Sequence, residues 1–256
     1  MSLNRRQTLA LAAAGAALPW RAFAQASAHS SVLPFEQPKF LYGFAAGSAG
    51  DIACRRVAEK EAGSAYARNS ALLENKPGAG GRIALDALKS SAADGSVLAL
   101  SPFSATSIYP HVYKKLGYEP VADIVPVSIA AIMHHGLAVG PVEPVSVTDV
   151  KGFVAWAKAN PDKANCGSPA AGSTPHFLGA LLSLNQNVDL KHVPYRGSIP
   201  GITDVVGGQT TAMFTPAGDF LPNHRAGKLR LLGTSGKARL PFAPDVATLP
   251  NKGLVN

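Results

Sequence analysis

The stretch CGSPAAGSTPHFLGALL, residues 166–182, decides the fold because it joins the end of a strand, a Gly/Ser/Thr loop and the start of a helix. Thr174 followed by Pro175 predicts a hydroxyl N-cap with proline at the first helical position. The apolar face of this predicted helix consists of Phe177, Leu178, Leu181 and Leu182. The segment therefore predicts one strand-loop-helix unit.

Similar units recur on both sides of this stretch. Apolar runs predict strands at residues 39–44, 72–74, 97–100, 165–166, 190–193, 212–214 and 229–232. Helical periodicity predicts helices at residues 51–62 and 83–88, a helix capped by Thr148 that ends before Pro161, and a helix capped by Ser198 that ends at Gly207. Alternating strands and helices are typical of an α/β fold with a mainly parallel sheet.

Composition excludes several classes of protein. With 256 residues, 46% of them hydrophobic and only 16% charged, the chain can bury a core and is not a disordered protein. Its two cysteines, Cys54 and Cys166, are too few for a disulfide scaffold or a cysteine zinc site, and we expect two separate buried thiols. Basic residues are scattered, so we expect no nucleic-acid partner.

The first 24 residues have the pattern of an export signal. Arg5 and Arg6 precede an apolar stretch at residues 9–18, and Ala22-Phe23-Ala24 is a small-x-small cleavage site. The apolar stretch is about half the roughly 20 residues that a membrane span requires. The arginine pair favours twin-arginine export, although Sec export stays open. We therefore expect cleavage near Ala24 and a soluble protein in the periplasm.

Five loops rich in Gly, Ser and Thr follow predicted strands, at residues 47–50, 78–81, 104–107, 172–174 and 197–198. Helix N-termini carry unpaired N–H groups and about half a positive charge, so such loops can hold a carboxylate or a phosphate. In open parallel sheets they lie at the edge where ligands bind. Each loop could also be an ordinary capped turn.

The order of these motifs resembles that of a known family. FAAGSAGDIACR, ENKPGAGGRIALDAL, YPHVYKKLGYEPVADIVPVS, CGSPAAGSTPHFLGALL, VDLKHVPYRGSIPGITDVVGGQ and AGKLRLLGTSGKARLPFAPDVATLP are similar to successive signatures of the Bug family. These proteins are the TctC-like extracytoplasmic solute receptors of tripartite tricarboxylate transporters. The resemblance implies a type II periplasmic-binding-protein fold, in which two α/β lobes hold a carboxylate-bearing solute in a cleft.

The resemblance also implies a set of ligand-binding residues. In the first lobe these are Gly47, Ser48, Asp51, Ser104, Thr106 and Ser107. In the second lobe they are Gly172, Ser173, Thr174, His176, Arg196, Gly197, Ser198 and Thr215. Residues 49–50 are Ala-Gly where the family usually has Ser-Thr, so two side-chain hydroxyls are lost. Asp51 has an alternative role at its helix start, since its charge would repel an anionic ligand.

The same resemblance implies the domain organisation. The first lobe is expected at residues 38–126 and 236–256, and the second at residues 127–235, with crossings near residues 127–139 and 229–235. Family members usually continue beyond the PDVATLP segment, so the first lobe is expected to be incomplete at its C-terminal end. A truncated remnant without binding activity is therefore an alternative.

Motifs of enzymes are missing from the sequence. It contains no G-x-S-x-G elbow, no G-x-G-x-x-G and no P-loop, and His134-His135 lacks the spacing of a helical metal site. Hydrolase chemistry on Ser173 and His176 would lack a neighbouring acid. We expect a monomeric, non-catalytic receptor without cofactor or metal that delivers a small carboxylate to permease subunits. A receptor that reports to a sensor kinase is the alternative.

Overall fold

The computed structural model describes residues 33–249, and the expected export signal lies outside this part of the chain. The first sheet consists of β1 (Lys39–Tyr42), β2 (Leu72–Asn75) and β3 (Val97–Leu100). Its strands are all parallel and lie in the order β2-β1-β3, with Phe40 opposite both Leu73 and Leu98. The central strand β1 is the most buried, which agrees with its continuous apolar sequence.

Four helices accompany this sheet. They are α1 (Ala49–Glu61), α2 (Arg82–Lys89), α3 (Phe103–Ser107) and α4 (Tyr109–Val112), with a 3-10 turn at Ala79–Gly81 before α2. The α1 helix packs Cys54 and Ala58 against Phe40 and Tyr42 of β1. On the other side, Leu85 of α2 joins a cluster with Tyr109 and Tyr118. The first sheet therefore carries helices around a short parallel core.

The second sheet has five strands: β4 (His135–Val139), β5 (Asn165–Ser168), β6 (Lys191–Pro194), β7 (Ala212–Pro216) and β8 (Arg230–Thr234). Their order is β6-β5-β7-β4-β8. The first three in this order are parallel to one another, whereas β4 is antiparallel to both of its neighbours. The expected α/β fold is confirmed, and the mainly parallel arrangement includes one reversed strand.

Helices cover both faces of the second sheet. They are α5 (Val150–Ala159), α6 (Thr174–Gln186), α7 (Ser198–Val206) and α8 (Ala217–Arg225). On one face Phe153 and Leu182 pack with Leu137 and Phe214 of the sheet, all fully buried. On the other face Ile202 and Phe220 pack with Met213. Burial of these side chains is the main stabilising contribution to this part of the protein.

Three helix caps lie one residue away from their predicted positions. Asp149, not Thr148, caps α5 by accepting the N–H of Gly152 at 2.7 Å. Ser173 caps α6, so that Thr174 is already helical. At α7 the N-cap is Gly197 with φ +120°, which a side chain would not tolerate, and Ser198 is the first helical residue. In each case two neighbouring residues could both act as the N-cap, so the sequence pattern does not show which of them begins the helix.

Two further elements differ from the sequence prediction. The α8 helix was not predicted, because Gly218 and Pro222 interrupt its helical pattern. The crossing segment before β4, at residues 125–133, has no regular secondary structure and is exposed, and Val127, Ile129 and Ile132 are each more than 75% accessible. Every element named here lies within one compact unit, Pro34–Asn256.

Candidate functional site

The loops that follow strands of the two sheets meet one another. The N–H of Ala49, at the start of α1, donates to Asp219 Oδ1 on α8 at 2.6 Å. The hydroxyl of Tyr113 donates to the carbonyl of Ala171 at 2.7 Å. Gly80 lies so close to Ala170 that a Cβ on Gly80 would be 3.0 Å from the Ala170 methyl. The carboxyl ends of the parallel strands thus face each other, as expected for a binding cleft.

The loop after β1 is held by a buried network rather than left open. The carboxylate of Asp51 accepts the N–H of Gly47 at 2.9 Å, the amide of Asn75 at 2.8 Å and two guanidinium bonds from Arg55. These bonds outweigh desolvation and lower the pKa of Asp51. Ser48 is buried, caps α1, and donates to the carbonyl of Ala45 at 3.0 Å. Asp51 therefore organises the helix start, which is its alternative role.

The predicted segment at residues 104–107 lies within α3 instead of forming an open loop. Ser104 is buried; burial raises the pKa of the neighbouring Tyr109 to about 12, and a hydrogen bond with Ser104 opposes only part of this rise. Thr106 donates to the carbonyl of Phe103 at 3.3 Å, a bond within the helix, and Ser107 is exposed. The N-cap of this helix is Pro102, and no side chain caps it. A ligand role for these three residues stays a prediction.

At the start of α6 the polar groups bond mainly to one another. Ser173 Oγ accepts the N–H of His176 and donates to the carbonyl of Ala170 at 2.6 Å. The N–H of Gly172 donates to Nδ1 of His176 at 3.0 Å, so the proton of this imidazole is on Nε2. Thr174 is half-buried at the first helical position. His176 thus binds its own loop through Nδ1, and its Nε2–H donates no hydrogen bond within residues 33–249.

A second histidine, His192 on β6, stacks on His176 with 3.8 Å between the ring centroids. Its Nε2 lies 2.8 Å from the hydroxyl of Ser168, which itself donates to the carbonyl of Ala170. Burial, with a smaller contribution from His176, lowers the pKa of His192 to about 4, and burial lowers that of His176 as well. Both rings are therefore neutral at pH 7, and together with Cys166 they line a cavity of about 320 Å³. The sequence analysis did not identify His192, because nothing local marks a stacking partner.

The start of α7 combines a glycine N-cap with a neighbouring arginine. No side chain caps it, and Arg196 beside it is exposed and forms no ion pair within residues 33–249. Gly197 is buried and its N–H donates to the carbonyl of Pro169 at 3.0 Å. The hydroxyls of Ser198 and Thr215, both buried, are 2.6 Å apart. A guanidinium next to an uncapped helix start can bind a carboxylate.

The sequence analysis missed Asp219, which lies at the centre of this junction. Its carboxylate accepts the N–H of Ala49, while Ser198 and Thr215 lie close enough to lower its pKa. Burial is the larger effect, and the pKa of Asp219 is raised overall. The Oδ2 atom is buried and has no hydrogen-bond partner within residues 33–249.

The PGAGG loop supports the first sheet. Its carbonyl at Gly80 accepts the hydroxyl of Tyr109 at 3.1 Å, and the guanidinium of Arg82 stacks over the ring of Tyr113 at 3.9 Å. Gly78, Gly80 and Gly81 all have positive φ, which explains why glycines stand there. The loop thus begins α2, and at Gly80 it also touches Ala170 in the loop that follows β5.

A groove of about 700 Å³ lies beside the junction, between α1 and the crossing segment. Its walls are mostly apolar and include Ile52 and Val57 on one side and Ile132 and Met133 on the other. Among residues 33–249, no group of three or more His, Cys, Asp or Glu side chains is placed to hold a metal ion. In the same range, no helix has the length and hydropathy of a membrane span.

Both cysteines are free and buried, as expected. Burial raises the pKa of the Cys54 thiol to about 11 and that of Cys166 to about 12. His135 begins β4, and burial lowers its pKa to about 4. These groups are neutral at pH 7.

Comparisons with known proteins agree with this architecture. Residues 54–256 match the family model described as the tripartite tricarboxylate transporter family receptor, TctC. A Cupriavidus necator relative, the UPF0065 protein in the gbd 5' region, is 34% identical over 98% of this chain and 76% of its own length.

Two solved structures are also similar. A periplasmic transporter has 31% identity and a TM-score of 0.78, with 86% of this chain and 73% of that chain covered. R. palustris Rpa4515, solved with adipate, has 26% identity and a TM-score of 0.79 over the same shares. The resemblance to the Bug family and the expectation of a receptor rather than an enzyme are confirmed. The chain belongs to the TctC (Bug) family of tripartite tricarboxylate transporter receptors, whose members are periplasmic solute-binding proteins.

Proposed function

We propose that this protein is an exported receptor of the periplasm that captures a small carboxylate-bearing solute and delivers it to the permease of a tripartite tricarboxylate transporter. Family membership supports this function, and so does the adipate in the R. palustris relative. The export signal at residues 1–24, cleaved near Ala24, is part of the proposal. The protein would act as a monomer without a cofactor.

The proposed lobes are residues 38–126 with 236–256, and residues 127–235. Each contains one of the two sheets, and the chain passes from the first to the second before β4. Among the described residues after β8, Leu240, Ala243, Val246 and Leu249 pack against the second sheet, so a return to the first lobe would lie beyond residue 249. A hinge motion, by which such receptors close over a solute, would act at these crossings. The contacts of Ala49 with Asp219 and of Tyr113 with Ala171 would then stabilise the closed arrangement.

The observation that carries the proposal is the uncapped start of α7 with the exposed Arg196 beside it. A carboxylate placed there would gain from the helix dipole and from a bidentate guanidinium bond. The Nε2–H of His176 is a further donor from the neighbouring loop. Fixed donors of this kind bind a negative group at little entropic cost.

A thermal-shift screen of the mature protein against organic acids tests the function. A solute at 100 times its dissociation constant should stabilise the folded protein by about 2.7 kcal/mol. Calorimetric titration of the best acid then gives its affinity for wild-type protein and for Arg196→Gln. Losing one charged hydrogen bond of about 1.5–3 kcal/mol should weaken binding roughly 10- to 100-fold.

Lys151→Gln is the matched control, because it removes one positive charge at the opposite edge of the second sheet. Lys151 is exposed at the start of α5, which follows the antiparallel strand β4. We expect its affinity to equal that of the wild-type protein. If no organic acid shifts the unfolding temperature, the proposed function is wrong. If Arg196→Gln binds like the control, the carboxylate lies elsewhere.

A further inference from the structure

The loop that follows β5, residues 169–172, contacts both α4 and α7. The carbonyl of Ala171 accepts the hydroxyl of Tyr113, the residue after α4, at 2.7 Å. The carbonyl of Pro169 accepts the N–H of Gly197, at the start of α7, at 3.0 Å. The position of this loop therefore affects both the contact between the proposed lobes and the proposed carboxylate site.

This loop is held in position by the histidine pair, His176 and His192, whose rings stack with 3.8 Å between their centroids. Nδ1 of His176 accepts the N–H of Gly172 at 3.0 Å. Nε2 of His192 lies 2.8 Å from the hydroxyl of Ser168, and that hydroxyl donates to the carbonyl of Ala170 at 3.0 Å. Each ring therefore supports a different part of the loop.

The hydrogen bond at Gly172 exists only while His176 is neutral. A proton on Nδ1 turns this acceptor into a donor, which would then face the N–H of Gly172. A charge on either ring would also lose its hydration, and two charges would lie on stacked rings 3.8 Å apart. Burial lowers the pKa of both rings, and that of His192 falls to about 4. The loop therefore packs in this way only against neutral rings.

Within residues 33–249, no shielded anion lines the cavity around the histidine pair. The other titratable groups of this cavity are Cys166 on β5, whose thiol stays protonated because burial raises its pKa to about 12, and Asp189, which is exposed. Lys191 on β6 is exposed too, and α6 carries no acidic or basic residue besides the histidine. On its other side the loop meets Tyr113, whose ring carries the guanidinium of Arg82. These surroundings do not stabilise an imidazolium.

We propose that the histidine pair is a proton-sensitive switch, which holds the loop at residues 169–172 against α4 and α7 while both rings are neutral and releases it when either ring takes up a proton. This inference rests on the proposed function and adds a regulation to it, because release of the loop would weaken solute binding in acid. His192, which acts through His176 and Ser168, is a positioning residue.

The size of the effect follows from the pKa of His192. At pH 5.5 an exposed imidazole of pKa 6.5 is about nine-tenths protonated, whereas one of pKa about 4 is neutral. The loop must then displace a proton in order to pack, which disfavours the packed form about tenfold at pH 5.5 compared with pH 7.5. The packed loop is thus fully favoured above pH 6.5 and loses stability as the pH falls towards 4.

Hydrogen exchange at pH 7.5 and pH 5.5 tests the switch without any solute. After correction for the intrinsic rate, the amides of residues 170–173 should lose about tenfold in protection at pH 5.5, with the amides of α5 as internal reference. The double variant His176→Asn with His192→Gln keeps a polar atom near each bonding nitrogen but does not titrate, so its loop protection should be the same at both pH values. His111→Asn, which replaces an exposed histidine on α4, should behave like the wild-type protein.

The outcomes separate the switch from the receptor function. If loop protection in the wild-type protein is the same at both pH values, or if the double variant keeps the wild-type change, the switch is refuted while the receptor function stands. If His135→Asn, which removes the buried histidine of β4, abolishes the change instead, the proton acts elsewhere and the switch is refuted as well. Should the double variant fail to fold by circular dichroism, the wild-type protein and the two single variants decide.

Calorimetric titration then connects the switch with solute binding. The acid that gives the largest thermal shift should bind the wild-type protein about tenfold more weakly at pH 5.5 than at pH 7.5, with a smaller change in the double variant. The titration of the acid itself cancels in this comparison. Equal changes in the two proteins would refute the regulation of binding. Failure of every acid to bind would refute the proposed function, and hydrogen exchange would still decide on the switch.

Discussion

Replacing Glu143 with glutamine should remove a pH-dependent loss of stability of about 3 kcal/mol. Glu143 follows β4 and is 2% exposed, and neither of its carboxylate oxygens has a hydrogen-bond partner within residues 33–249. The guanidinium of nearby Arg230 donates instead to the carbonyls of Val147, Glu143 and Pro144. Burial raises the pKa of Glu143 from 4.5 to about 7.

The sign and size of the effect follow from this pKa. The unfolded chain releases the proton near pH 4.5 and the folded protein near pH 7, so the folded state loses stability as the pH rises through this interval. Each pKa unit corresponds to 1.36 kcal/mol, which gives about 3 kcal/mol in total. Most of this change falls between pH 5 and pH 8. Glutamine has nearly the same shape and does not titrate.

Urea denaturation of wild-type protein and Glu143→Gln at pH 5 and pH 8 measures this difference. Trp156, which packs against the core of the second sheet, provides the fluorescence signal. The contributions of other titrating groups to the free energy of unfolding cancel when the two proteins are compared at the same pH. We expect the variant to gain about 2–3 kcal/mol relative to the wild-type protein on going from pH 5 to pH 8. If the difference between the two proteins is the same at both pH values, the carboxylate is not held in a desolvated environment.

Three other perturbations have defined outcomes. Phe153→Ala empties the fully buried core position between α5 and the sheet, and urea denaturation should show a loss of about 3–5 kcal/mol. His192→Asn should reduce the fall in unfolding temperature between pH 7 and pH 5, because the folded-state pKa of His192 is about 4 and the unfolded chain takes up its proton first. An equal fall in both proteins would contradict this. Ser48→Ala should cost about 1 kcal/mol through the lost cap of α1, whereas Ser107→Ala, which changes an exposed residue, should leave thermal stability unchanged.

Local sequence patterns predicted most of the fold. The apolar run at residues 97–100 predicted the observed bounds of β3, whose four residues are all half-buried. The α8 helix escaped prediction since Pro222 and Gly218 lower its propensity, while burial of Phe220 stabilises it through tertiary packing. The antiparallel direction of β4 also depends on pairing with distant strands, which no local pattern records.

The site was predictable only in outline. Loops at the ends of strands could be identified from Gly, Ser and Thr, and the sheets bring several of them together. The sequence could not show which polar groups of those loops already have hydrogen-bond partners within the protein. Asp51 binds Arg55 and Asn75, and Asp219 reaches Ala49 from 170 residues away. Such pairings depend on the tertiary fold and carry no periodic signal.

The two buried thiols make this protein convenient for spectroscopic probes of domain motion. Cys54 lies on α1 and Cys166 on β5, and both are shielded and protonated at neutral pH. Maleimide reagents attack the exposed thiolate form, so the natural protein should label very slowly. A pair of fluorophores attached at cysteines introduced at Ser107 and Lys191, which are exposed on elements of different sheets, would report opening and closing without background from the native cysteines.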